Sequence, residues 1–294
     1  MSEPKIHRRR TWIALVLGIA SLPAGYLYAG QLKRGFLATC IWLTLAPAFL
    51  ILICRISLPP TAMRGLFVMC TLCPLLFLVD ICMITRKTTP TRLKPFQRWW
   101  FYLLAIVVTT FITEAVINVS RSHIAEAFIV PGRAMAPTIN HNDRIIVDKL
   151  WFDASKLQRN DLAVFMSNNS QLHVTRIVGL PGETIEISDE KLFIDGIEID
   201  DKRAHFTMEH YPQVPEMVNY GPETIPERNY FVLGDNRRRA KDSRIDGPIP
   251  FDDFRAVAKV VYWSNDYTFF HQYQTPPRCG KIRWDRIGLR LDQK

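Results

Sequence analysis

Nucleophilic chemistry needs a hydroxyl or thiol with a base in reach, and the sequence offers scattered candidates in Ser122, Thr138, Ser243 and the imidazole of His173. The stretch Phe128 to Ile139, FIVPGRAMAPTI, has the small residues and prolines that surround a catalytic serine, but Ala134 stands in the middle of it. Alanine has no lone pair with which to attack. Thr138 follows Pro137 and reads as a turn hydroxyl, and Ser122 sits where the chain leaves its last apolar run. Cys70 and Cys73 have the spacing of a redox pair or half a metal site. Inside a 19-residue apolar run with no His and no second such pair they read as small helix residues, so neither metal nor cofactor is expected.

The elements that would position these groups divide the 294 residues into two parts. Residues 1–120 hold 13 of the 37 Lys and Arg but only Glu3, Asp80 and Glu114 as acids, whereas residues 121–294 hold 24 basic and 25 acidic residues. The net charge of +9 therefore resides in the first part. There it flanks apolar segments, where basic residues set membrane orientation, so nucleic acid is not an expected partner. Five of the six cysteines lie in those segments and Cys279 stands alone, which gives no disulfide framework.

Residues 36–58, 66–84 and 100–119 are each long and apolar enough to span a bilayer. The loop with Arg86, Lys87, Arg92, Lys94 and Arg98 belongs inside, which puts residues 121–294 outside the cytoplasm. A fourth apolar run, 12–30, has Arg8, Arg9 and Arg10 before it and Lys33 and Arg34 after it, so both flanks prefer the cytoplasm. It is expected to be re-entrant or interfacial, bent at Pro23 and Gly25, with 1–11 as a cytoplasmic tail; the alternative is a fourth crossing. Its likeness to a secretion signal is set aside because the next segment is itself apolar. Asp80, near the inner end of its span, is expected to snorkel to the interface.

From Asp143 onward short β-type runs alternate with turn residues: DRIIVDK, DLAVFM, LHVTRIV, ETIEI, KLFIDGIEI, NYFVLG and AVAKVVYW. Asp195-Gly196 between two of them is a hairpin signal, because a tight primed turn needs positive φ at both central residues. The fold class expected is N-terminal transmembrane α-helices followed by a mainly β extracytoplasmic domain over 121–294, with an excursion near 200–226.

Three blocks, in this order, resemble those of the type I signal peptidases, membrane-anchored serine endopeptidases that remove secretion signals on the outer face of the cytoplasmic membrane. FIVPGRAMAPTI followed by Asp143 is similar to the nucleophile block, RIVGLPGETI (Arg176 to Ile185) to the base block, and GDNRRRAKDSR (Gly234 to Arg244) to the block that supports the base. The ending RWDRIGL, Arg283 to Leu289, is similar too, and the resemblance covers residues 124–290. That family runs on a Ser–Lys dyad, in which a buried lysine with a lowered pKa takes the serine's proton. The resemblance puts Ala134 at the nucleophile, Thr175 at the base, Ala240 at the base-supporting serine and Gly132 at the oxyanion side, where other relatives also carry glycine. Threonine cannot hold or deliver a proton near neutral pH.

By the same resemblance Asp235, Asn236, Asp242, Ser243 and Arg244 form a structural motif, and the backbone of Ile129, Val130, Pro131, Met135 and Pro137 offers a peptide-binding edge. His173 shares a strand face with Thr175 and is the candidate substitute base. Arg237, Arg238 and Arg239 are expected to be a solvated surface run. The leading expectation is a multi-pass protein of the cytoplasmic membrane that is non-catalytic and binds signal peptides or exported preproteins, or modulates an active signal peptidase. Alternatives are an active signal peptidase with relocated catalytic residues and a membrane assembly factor. Partners would be membrane lipid and those proteins.

Overall fold

A computed structural model of the chain describes residues 9–56, 59–87, 95–150, 152–167, 171–206, 218–266 and 280–292. Two compact units divide it, a helical one up to Ile124 and a β one from Ala125, the latter joined by Ile53–Pro60.

In the helical unit, α1 (Thr11–Ala20) and α2 (Leu22–Tyr28) precede α3 (Leu32–Arg55), α4 (Pro60–Lys87) and α5 (Trp99–Val119). Three described helices are long and apolar enough to cross a membrane: α3, α4, and α5 extended by the π-helical turn Ser120–Ile124. Helix α4 outruns its apolar stretch at both ends, because hydrogen bonding continues into the polar flank that closes with Arg86 and Lys87.

The segment expected to bend at Pro23 and Gly25 breaks instead at Ser21, which is extended (φ −165°, ψ 123°) between α1 and α2. Pro23 falls in the first turn of α2, where its missing N–H leaves nothing unpaired. Gly25 lets the two helices touch, since a Cβ there would lie 2.7 Å from Gly18 Cα. Ser21 Oγ meets Thr109 Oγ1 of α5 at 2.9 Å. The ends of the segment come together: the Arg9 guanidinium donates to the Ala29 carbonyl, and the Arg10 N–H donates to the Tyr28 hydroxyl at 2.9 Å. Asp80 does not rely on snorkelling; it accepts from the Tyr26 hydroxyl at 2.8 Å and pairs with Arg34 at 3.4 Å.

The β unit contains β1 (Ala125–Ile129), β2 (Arg144–Asp148), β3 (Leu162–Met166), β4 (Leu172–Gly179), β5 (Thr184–Ser188) and β6 (Lys191–Ile194). After these come β7 (Ile197–Ile199), β8 (Tyr220–Thr224), β9 (Asn229–Leu233), β10 (Ile249–Pro250), β11 (Phe254–Trp263) and β12 (Leu289–Arg290). Among the described residues one sheet has the order β1-β2-β11-β3-β4-β9-β10, with β12 on β11, and a second has the order β7-β6-β5-β8. Asp195 (φ 50°) and Gly196 (φ 79°) make the tight turn between β6 and β7. Strand β8 lies within the stretch expected to leave the domain, yet it pairs with β5, Thr184 opposite Thr224. Gly221 and Pro222 interrupt its β pattern, which hid it. Residues 207–217 of that excursion, and Cys279, lie outside the described residues.

Strand β9 joins two cores through the two-residue alternation of a strand. Tyr230 and Val232 pack with Ile177, Ala163 and Phe254, while Phe231 and Leu233 pack with Val178, Ile185, Ile187 and Ile225. A further cluster of Met135, Ile139, Ile145, Val147, Leu162, Val164 and Ala258 lies beneath the segment that follows β1.

Candidate functional site

Met135 and Ile139 are both buried in that cluster, and burying side chains of this size contributes about 1.5–3 kcal/mol each. They pin the Gly132–Ile139 segment to the sheet. Polar contacts then fix its register. The fully buried carboxylate of Asp235 accepts from Thr138 Oγ1 at 2.5 Å and from Arg176 Nε and Nη2 at 2.7 and 2.6 Å. One side chain from each of the three sequence blocks therefore meets at Asp235. Asn236 adds its backbone N–H to the Ala134 carbonyl at 2.9 Å and its amide to the Arg133 carbonyl at 3.3 Å.

Asp143 is a second buried centre. It accepts from Ser264 Oγ at 2.6 Å and the Asn140 N–H at 2.8 Å, and pairs with Arg283 at 3.1 Å and Arg286 at 2.5 Å. The RWDRIGL ending is thereby fastened to the first block. In the third block Asp242 accepts from the Gly234 N–H at 3.0 Å and holds Arg244 at 2.8 and 2.9 Å. Ser243 Oγ, also buried, accepts from the Val232 N–H at 3.0 Å.

Ala134, Ala240 and Thr175 sit within this framework. An added Cβ on Gly234 would lie 2.2 Å from Ala240 Cβ and 2.8 Å from the Ala134 carbonyl oxygen, so the first and third blocks are in contact and only glycine fits between them. Thr175, opposite Ala163 in β3, is 2% exposed, and its hydroxyl has no hydrogen-bond partner among the described residues. Gly132 is exposed, with nothing closer than 3.9 Å to an added Cβ, so a larger side chain would fit there.

Beside these positions runs a groove of about 820 Å³. One wall is the Phe128–Met135 segment; the other includes Gln171, Leu172, His173 and Val174, with the buried Val164 between. Both walls carry open strand edges among the described pairings. Strand β1 has only β2 beside it, and β9 joins β4 only from Arg176 onward. Ile129, Val130, Pro131 and Met135 line the groove, whereas Pro137 does not and instead offers its carbonyl to Arg286 at 3.3 Å. His173 is the one residue of this β4 wall that the sequence singles out; Gln171, Leu172, Val174, Arg133, His141 and Lys241 carry no such signal, because their nearness depends on where two distant segments meet.

His173 is half-buried and stacks on Phe165 with ring centroids 5.7 Å apart. Burial lowers its pKa, with Asp246 acting to raise it and Lys241 to lower it further. The arginine run is not a solvated surface. Arg237 is buried, paired with Asp201, and donates to the Gly234 carbonyl at 3.1 Å; Arg238 pairs with Glu190 at 3.1 Å and lies over the Phe206 ring. Arg239 lines the groove. Among the described residues no group of three His, Cys, Asp or Glu is placed to hold a metal ion.

Comparisons with known proteins show what the chain is similar to. Residues 103–263 match the family model described as signal peptidase, peptidase S26. A probable signal peptidase I-2 of Synechocystis sp. is 30% identical over 187 residues, 61% of this chain and 81% of that protein. Signal peptidase I of Leptolyngbya laminosa is 33% identical over 152 residues, 49% of this chain and 71% of the relative. A crystal structure of a signal peptidase I from Enterococcus faecalis is 35% identical, covering 35% of this chain and 96% of that one, with a TM-score of 0.29. With apolar helices before a mainly β unit, and a family match spanning more than half its length, the chain belongs to the signal peptidase family, peptidase S26.

Proposed function

We propose that this member of the family is non-catalytic and binds signal peptides or exported preproteins in extended form, thereby modulating an active peptidase. The observation that carries the reading is the make-up of the groove: none of its described lining residues bears a hydroxyl or thiol. Two open strand edges remain, and an extended chain can add to such edges through backbone hydrogen bonds. Ala134 has no nucleophilic atom, and Thr175, at the position that the resemblance gives to the base, is buried. In a different serine protease, removing catalytic partners singly or together lowers turnover on the order of 10⁶-fold.

The same reading places α3, α4 and α5 across the cytoplasmic membrane with the β unit outside. The meeting of Arg9 with Ala29 supports a helical hairpin that enters and leaves on one side.

The test is incubation of the purified full-length chain with a preprotein, reading cleavage by gel and binding by cross-linking. Cross-linking without cleavage is expected, and restoring Ala134→Ser, Thr175→Lys and Ala240→Ser together should return measurable cleavage. Cleavage by the unaltered chain that is lost on His173→Ala would overturn the reading in favour of an active enzyme with a relocated base.

A further inference from the structure

We infer that the helical unit docks, within the membrane, a transmembrane helix of another protein that carries a lysine or arginine side chain at mid-depth. The inference rests on the reading that α5 crosses the bilayer, and its anchor is Glu114. Glu114 lies about 22 Å along the helix axis from Trp99, which puts its carboxylate inside a hydrocarbon core about 30 Å thick. It is exposed on α5 and has no hydrogen-bond or ion-pair partner among the described residues. A carboxylate in that medium is costly until a cation reaches it.

Glu114 borders a cavity of about 400 Å³ that lies wholly within the helical unit, where α1 breaks from α2 at Ser21. Its lining is rich in acceptors. Thr39, Thr109 and Thr110 donate their hydroxyl protons to the carbonyls of Gly35, Ala105 and Ile106 at 2.7, 2.7 and 2.8 Å, which leaves lone pairs on all three oxygens. Because Thr109 gives its proton to Ala105, Ser21 is the donor in their 2.9 Å contact. Gly18, Ile19 and Ala20 line the cavity too, and their carbonyls lie beyond the last bond of α1, which the Ser21 N–H gives to Leu17, so the negative end of the α1 dipole is here. No Lys, Arg or His is among the described lining residues, and with those protons spent Trp42 and Thr113 are the side-chain donors left. Such a lining suits a cation that brings its own hydrogens.

Size and surroundings name the source of that cation. A bare metal ion would leave most of the cavity empty, whereas an aliphatic stem ending in an ammonium or guanidinium group occupies it along its length. Leu103, Val107, Thr110 and Glu114 follow one another along α5 at the alternating spacing by which one helix packs on another, and all four are exposed. Two of the four, Thr110 and Glu114, also line the cavity. The seam matches the apolar side of a second helix and offers a hydrated small amine nothing.

The test uses the full chain in phosphatidylcholine vesicles with synthetic guest helices of about 24 leucine and alanine residues, alike except for one central residue, Lys, Gln, Leu or Glu, beside a photoreactive leucine. Cross-linking titrated against guest content should reach half-saturation at about tenfold less of the Lys guest than of the Gln or Leu guest. Glu114→Gln should bring the Lys and Gln guests within about twofold, and Glu114→Lys should favour the Glu guest, a reversal that a merely structural role of Glu114 would not produce. Equal cross-linking of the Lys, Gln and Leu guests to the unaltered chain overturns the inference, and so does a Lys preference that survives Glu114→Gln. Thermal stabilisation by butylamine that is lost in Glu114→Gln, with no preference among the guests, assigns the cavity to a small amine and overturns it as well. Phe111→Cys, exposed on α5 and introduced into a background without the native cysteines, separates the two readings. Rapid labelling there by a water-soluble maleimide overturns the crossing of α5 and the inference with it; slow labelling with equal guests overturns the inference alone.

Discussion

At the scale of single residues, the candidate site positions are separate from those that hold the fold. Ala134 and Ala240 supply no side-chain hydrogen bond, and Thr175 buries a hydroxyl with no partner among the described residues. A buried unsatisfied hydroxyl costs about 1–3 kcal/mol. Thr175→Val, which keeps the shape and removes the hydroxyl, should therefore raise stability by about 1 kcal/mol, read as a higher melting temperature in detergent; a lower one would show that the hydroxyl is satisfied in solution. These three positions could be picked out as candidates from the blocks around them. Arg237 and Arg238 could not, since their partners Asp201 and Glu190 lie far off in sequence and nothing local marks them as paired.

At the scale of elements, two buried carboxylates hold the Gly132–Ile139 segment in place. Asp235 ties the Gly132–Ile139 segment to β4, and Asp143 ties it to the chain's last strand region. Asp235→Asn would leave Arg176, 4% exposed at its side chain, as an unpaired buried charge. Breaking such a pair costs about 3–5 kcal/mol, so the variant should melt far lower, whereas Arg228→Gln, in an exposed pair, should change stability by less than about 1 kcal/mol. His173 gives the β4 wall a pH response. Its folded pKa lies below the unfolded value of about 6.5. The unfolded chain therefore takes up the proton first, and its contribution is present above that value and lost as pH falls through the lowered folded value. Melting measured from pH 7 down to 5 should fall less steeply in His173→Gln than in the unaltered chain. Strands with clean alternation, such as β6 and β7 about Asp195-Gly196, were legible from the sequence; β8 was not, because Gly221 and Pro222 gave no β signal and only pairing with β5 makes it a strand.

At the scale of the whole molecule, composition alone separated a basic, apolar first part from a charge-balanced second part, and the two units follow that division. Basic residues on both flanks of 12–30 argue for a return to the same side; the break at Ser21 gives a physical means, whereas the sequence points to Pro23 because proline is the usual helix breaker, yet a first helical turn tolerates it. Single cysteines placed at residue 4 and in the β unit at Glu198, in a background without the native cysteines, should label from opposite sides of the membrane, residue 4 from the cytoplasm. Labelling of both from outside would require four crossings. The α1–α2 hairpin has a consequence of another kind. At about 1.5 Å per residue, α1 reaches about 15 Å, half of a hydrocarbon core about 30 Å thick. On the re-entrant reading it crowds one monolayer and leaves the opposite one to lipid, so it acts as a wedge. The strain this creates is least where the crowded monolayer is stretched by curvature, and the chain should gather at such places in a membrane before any peptide reaches its groove.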